Sequence, residues 1–157
     1  MTTSINKATV ITDIWQNFYD RIKAQVKTVV ITGSKTITVQ NYVSSDPDQM
    51  LDSKSNYPII VIKTPSLTTE QATMTRGKFV GTIDLEIYTN QGEAADKFLS
   101  SMIDSIETYK RDLRLVGIID VELENTDDDS TTRDGIKIHV RNATFKIGYK
   151  YDKTRSF

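Results

Sequence analysis

The sequence predicts an α+β fold: a mixed, mainly antiparallel sheet with two amphipathic helices packed on one face and a β-hairpin extension. Three stretches predict it. From Lys78 to Thr89, the residues Phe79, Gly81, Ile83, Leu85 and Ile87 alternate with Val80, Thr82, Asp84, Glu86 and Tyr88. That is the period-2 signature of a half-buried strand. After a polar turn at Asn90-Gln91-Gly92, the residues Ala95, Phe98, Leu99, Met102, Ile103, Ile106 and Tyr109 recur at steps of three and four, giving one apolar stripe on a helix at 93–112. Near the N-terminus, Ile11, Ile14, Trp15, Phe18, Tyr19, Ile22 and Val26 repeat the helical spacing, and predict a helix at about 10–27. A strand and a helix that each have one dry face bury them against one another.

The totals narrow the class. The 157 residues fit one domain, 1–157. A fold of this size hides roughly 70% of its unfolded surface and needs no disulfide or metal staple. There is no cysteine, which excludes thiol catalysis, disulfides and cysteine metal sites and is compatible with a reducing compartment. Lys+Arg is 20 and Asp+Glu is 21, without the basic excess of a nucleic-acid binder. The N-terminal Met-Thr-Thr-Ser-Ile-Asn-Lys lacks the apolar run of a signal peptide. No run of about 18 apolar residues spans a membrane. A cytosolic, soluble protein is expected.

The remaining elements follow in order. Thr9 or Thr12 supplies an N-cap hydroxyl for the first helix, and Asp13 suits the positive end of its dipole. At roughly 25 Å that helix lies across a whole sheet. Its Trp15, Phe18 and Tyr19 read as core rather than as a recognition surface. Thr28–Ile31 and Thr36–Val43 form a hairpin (about 28–43) around a two-residue Gly33-Ser34 turn. Ser44–Asn56 is a long loop rich in turn residues. Pro58 holds Tyr57 extended and opens a strand at 57–63, whose four consecutive apolar residues suit a central position buried on both faces. The threonine-rich Lys63–Thr75 is a loop or an exposed edge ribbon leading to a turn at Arg76-Gly77.

Beyond the second helix, Leu113–Gly117 is a connector. Ile118–Glu124 (strand 118–125) turns Ile119, Val121 and Leu123 inward, and Asp120, Glu122 and Glu124 outward. Asn125–Asp134 is a polar loop. The closing strand, 135–151, is apolar at Ile136, Ile138 and Val140, then at Phe145, Ile147, Tyr149 and Tyr151. This change of parity predicts a β-bulge or kink at Arg141-Asn142-Ala143. If the last two strands pair, Asp120, Glu122 and Glu124 lie beside Lys137, His139 and Arg141.

Candidate chemistry is thin. The one histidine, His139, has no cysteine or histidine partner, and no serine sits on a Gly-x-Ser-x-Gly elbow. Asp84 and Glu86, at i and i+2 on one face, imitate a glycosidase pair but read better as solvated acids. Asp127-Asp128-Asp129 with Asp134-Gly135 suggests a calcium loop, yet Thr132 and Ile138 stand where glycine and glutamate are required. Thr32-Gly33-Ser34-Lys35 lacks the spacer and following helix of a phosphate loop.

The order of elements does resemble a family. The helix Thr12–Lys27, the proline-led strand Tyr57–Ile62, the strand Lys78–Thr89, the helix Glu93–Asp112 and the long closing run Gly135–Tyr151 after a charged loop are similar to the tail terminator (tail completion, tail-to-head joining) proteins of long-tailed bacteriophages and related viruses. The likeness covers most of the chain and lies in order and size. It implies a structural, non-enzymatic virion protein without a cofactor, assembled in the host cytoplasm. Copies of it form a ring, commonly a hexamer, that caps the tail tube and offers a surface to the head connector. DNA passes through such a ring without specific binding, and carboxylates in a lumen repel phosphate. The residues expected at a lumen or subunit contact are Asp127, Asp128, Asp129, Arg133, Asp134, Asp84 and Glu86. Another viral neck or head-completion protein is the alternative, and a small hydrolase or nucleotide-modifying enzyme the remoter one.

Overall fold

A computed structural model describes residues 9–45, 47, 50–71, 76–133 and 135–152. Its elements are α1 (Val10–Gln25), β1 (Thr28–Ile31), β2 (Lys35–Thr38), β3 (Asn41–Val43), β4 (Ile59–Ile62), β5 (Ser66–Gln71), β6 (Arg76–Thr89), α2 (Gly92–Thr108), α3 (Lys110–Leu115), β7 (Ile118–Arg133) and β8 (Ile136–Asp152). The fold is α+β. The main sheet runs β3-β4-β6-β8-β7, with β5 also on β6, and only the β3–β4 pair is parallel.

Helices α1 and α2 cover one face. Ile14, Phe18 and Ile22 of α1 and Phe98, Met102 and Ile106 of α2 close over Ile60, Ile62, Ile83, Leu85, Ile87, Ala143, Phe145 and Ile147. Trp15 stacks on Tyr19 at 4.7 Å between ring centres, and its indole N–H donates to the Ile62 carbonyl at 2.7 Å, so this aromatic group ties α1 to β4. Thr9 occupies the N-cap position, but its hydroxyl donates to Asp13 Oδ2 at 2.6 Å instead of accepting a backbone N–H. A second core lies on the opposite face: Ile59, Val61, Ile136 and Ile138 pack with Leu51 from the long loop and Tyr57 just after it.

The two cores explain the parity change in β8 without a bulge. Ile136, Ile138 and Val140 point to the second core, while Ala143, Phe145, Ile147 and Tyr149 point to the helices. Pairing with β6 is unbroken from Thr89 opposite His139 to Arg76 opposite Asp152. The predicted bulge at Arg141-Asn142-Ala143 is therefore corrected. The irregularity sits in β7, with register shifts between Ile119 and Glu122 and between Leu123 and Asn125. Asp120 there has φ 56°, a left-handed conformation that aspartate tolerates better than most residues. The bulge also resets the inward set: Ile118 and Val121 are buried, whereas Leu123 is exposed.

Other boundaries move for local reasons. The first hairpin turns over three residues, Thr32–Ser34, because Ile31 faces Lys35; Gly33 and Ser34 both have positive φ. Its second arm is two strands. Val39 is buried against α1, and the Gln40 and Asn41 N–H groups donate to the Pro58 carbonyl, which carries β3 across to β4. The threonine-rich stretch forms the edge strand β5; Arg76 and Gly77 belong to β6, and 72–75 lie outside the described residues. The long second helix breaks at Tyr109, whose ring lies 3.4 Å under the Arg21 guanidinium. The expected connector is helical to Leu115 and ends at Gly117, φ 101°, where a Cβ would meet the Tyr149 ring at 2.8 Å.

Strands β1 and β2 form a separate two-stranded sheet tethered to α2. Glu93 accepts from the Thr32 N–H at 2.6 Å and from the Thr32 hydroxyl at 2.5 Å, and Lys97 Nζ donates to the Val30 carbonyl at 2.5 Å. The bonds from the Thr32 hydroxyl and N–H hold the Glu93 carboxyl below the usual glutamate range. A depressed folded value gives a contribution that is complete above the ordinary glutamate pKa and is lost as pH falls through the lowered one. Amide exchange in 28–38, corrected for intrinsic rates, is therefore expected to lose protection relative to the main sheet below about pH 4. In Glu93→Gln that step should vanish. A hairpin equally protected across this range would show that Glu93 is not its tether.

Candidate functional site

The region expected to be a polar loop is strand. Asn125–Arg133 continues β7, with Asp127 opposite Asn142, Asp128 opposite Arg141 and Asp129 opposite Val140. The partner explains it: β8 has 17 residues and needs a mate longer than Ile118–Glu124. Asp134 lies outside the described residues.

Opposed residues in antiparallel strands share a face. One row therefore crosses four strands, Val61–Glu86–Asn142–Asp127, on the face away from the helices. The next row carries Asp84, Thr144 and Asn125. Three of the expected site residues, Asp84, Glu86 and Asp127, are thus brought to one face, with Asp129 one row further on. Asp128 points the other way, beside Arg141, whose Nε donates to Asp96 of α2 at 2.8 Å. Arg133 has a partner within the chain: its Nε donates to Asp52 Oδ1 at 2.6 Å and ties the hairpin to the long loop.

The solvated-acid reading of Asp84 and Glu86 needs correction. Asp84 is half-buried and accepts from the Thr144 hydroxyl at 2.6 Å. Glu86 is only 7% exposed, with Lys63 Nζ at 3.4 Å and the Tyr88 hydroxyl donating at 3.4 Å. Burial of a charge is tolerated where a counter-charge and hydrogen bonds compensate it. Glu86 therefore fixes β4 against β6 and cannot line an open channel.

The expected acidic and basic ladders also pair differently. Glu122 faces Lys146, while His139 faces Ser130 and Lys137 faces Thr132, because the register is set by the short connection between Arg133 and Ile136. His139 instead stands over the start of α2, where a Cβ on Gly92 would lie 3.3 Å from its Cε1. Asp120 accepts from Lys78 Nζ at 2.8 Å. This bond lowers the Asp120 pKa and raises that of Lys78, moving both away from neutrality. The pair borders an open cleft of about 500 Å³ with Glu70, Val80, Glu122 and Lys146. Groups so paired stay charged near neutral pH, which suits complementary surface contact.

Among the described residues, no group of three or more histidines, cysteines or acids is arranged to hold a metal ion, and no helix is long and apolar enough to cross a membrane. No protein-family model matches the chain, and no curated protein does.

Two features were not expected: the exposed edge of β7 and the Lys78–Asp120 pair. The first has a sequence signal. Thr126, Ser130, Thr131 and Thr132 suit a strand, and Asp134-Gly135 is the dipeptide of a tight hairpin. The second depends on the bulge that turns Asp120, and has no local signal.

Proposed function

We propose that this chain is a structural subunit of a viral tail terminator ring, which caps the tail tube and joins it to the head connector, with no catalytic step. The observation that carries this reading is the β7–β8 hairpin. Its strands of 16 and 17 residues are much longer than most strands and give the subunit one extended polar edge. The reading also draws on the order of elements that carries the resemblance: first helix, proline-led strand, long central strand, second helix and closing hairpin. A sheet with helices on one face and mixed charge on the other suits contacts between copies, the tube protein and the connector. Asp127 and Asp129 are the remaining acidic candidates for a lumen or a subunit contact, whereas Glu86 and Arg133 have partners within the chain.

The test is assembly. Purified protein is imaged alone and after addition to tail tubes with open ends. Rings seated on tube ends support the proposal. Protein that never occupies those ends favours another viral neck position, and head connectors are then the binding target to try.

A further inference from the structure

We propose that the outer edge of β7 pairs with the β1–β2 hairpin of a second copy, so that the acidic edge of each subunit meets Lys35 of the next subunit's hairpin and the neighbouring Lys23 and Lys27. This rests on the ring reading and names the contact that would close the ring.

β7 is bonded to β8 on one side, and no described strand pairs with its other side. Residues 122–132 are exposed along it. An edge of that length presents alternate N–H and C=O groups to water and is a template for another strand. Its charges select the partner. From Ile118 to Thr132 the acids are Asp120, Glu122, Glu124, Asp127, Asp128 and Asp129, with no lysine or arginine. Two such edges facing each other would set carboxylate against carboxylate, so symmetric β7–β7 pairing is disfavoured.

The complementary stretch is in the same chain. From Arg21 to Ser45 there is no acid, and Lys23, Lys27 and Lys35 are exposed. The outer side of β2 pairs with no described strand. Beside it, a groove of about 500 Å³ between α1 and β2–β3 is lined by Lys23, Lys27 and Thr38 together with one acid, Asp20, so that two lysines outnumber the single carboxylate. A neighbour's β7 laid along β2 would bring its aspartates towards these lysines. Of the other edges, β5 carries Glu70 and β3 has three residues. Edge and hairpin are different surfaces, so the contact is heterologous, and repeating it gives a ring or an open filament.

The lack of cysteine makes the test clean. Thr36→Cys protein is mixed under mild oxidation with Thr126→Cys, Asp128→Cys or Ser130→Cys protein, all three positions being exposed on one face of β7. The control is Thr36→Cys with Thr108→Cys, an exposed site at the end of α2. At least one β7 variant is expected to give about tenfold more disulfide-linked heterodimer than the control, because Cβ atoms of facing strand residues approach to about 5 Å. Asp127→Lys with Asp129→Lys should raise the dissociation constant about tenfold, and adding Lys35→Glu to that chain should recover part of it. Oligomers without enhanced cross-linking overturn this contact and leave the ring reading standing. Enhanced cross-linking in open filaments, or in rings that ignore tube ends, keeps the contact and overturns the terminator reading. A chain that stays monomeric, with or without tubes, overturns both.

Discussion

Phe145→Ala is expected to lower unfolding stability by about 3–5 kcal/mol. Phe145 is fully buried on β8, opposite Ile83 on β6 and Leu123 on β7. It sits in the core closed by Phe18 and Phe98 from the two helices. Removing the ring takes away its transfer free energy and leaves a cavity between the sheet and the two helices that cannot easily close. For a chain of this length the midpoint should fall by roughly 6–20 °C. Equilibrium urea unfolding, followed by the fluorescence of Trp15, gives the value. A loss below about 1 kcal/mol would mean that the helices do not close over β8 as described.

Gly81→Ala is expected to cost about 2–3 kcal/mol, from a single added methyl. A Cβ at Gly81 would lie 1.8 Å from the Ser66 carbonyl oxygen and 3.0 Å from the Leu67 Cα. These are backbone atoms of β5, so no side-chain rotation relieves the clash. The strand itself must move, and the pairing of 66–71 with 77–82 is lost or shifted. The damage should therefore be local as well as global: amides of Thr68, Thr69 and Glu70 exchange faster while those of β4 keep their order of protection. Because Glu70 borders the polar cleft of the open sheet face, any binding through that cleft should weaken in parallel. Wild-type stability with unchanged β5 protection would contradict this close approach.

The sequence states some of this fold openly and hides the rest for physical reasons. The stripes of α1 and α2 and the alternation of β6 are legible because each element faces the same core along its length. The parity change in β8 is also legible, but its cause is not. A strand covered by different cores on its two faces gives the same pattern as a bulged strand with one core, and only the packing of Leu51 from the long loop and Tyr57 just after it separates them. The polar second half of β7 is hidden because hydrophobicity marks strands that are buried, and an edge strand facing water has no need of it.

The candidate surface is divided in the same way. The aspartates of 127–129 are visible as a charged run, but their pairing register decides that Asp127 and Asp129 share a face while Asp128 turns towards Arg141. The structural tasks of Glu86 and Arg133 depend on Lys63 and Asp52, each distant in sequence, and could not be assigned from local pattern.

The most direct measurement is sedimentation mass over a wide concentration range, with negative-stain images of the same samples before and after addition of open-ended tail tubes. Closed rings of one size that bind tube ends are the result the proposed role predicts. A protein that stays monomeric at every concentration and leaves tube ends bare would contradict the proposed role.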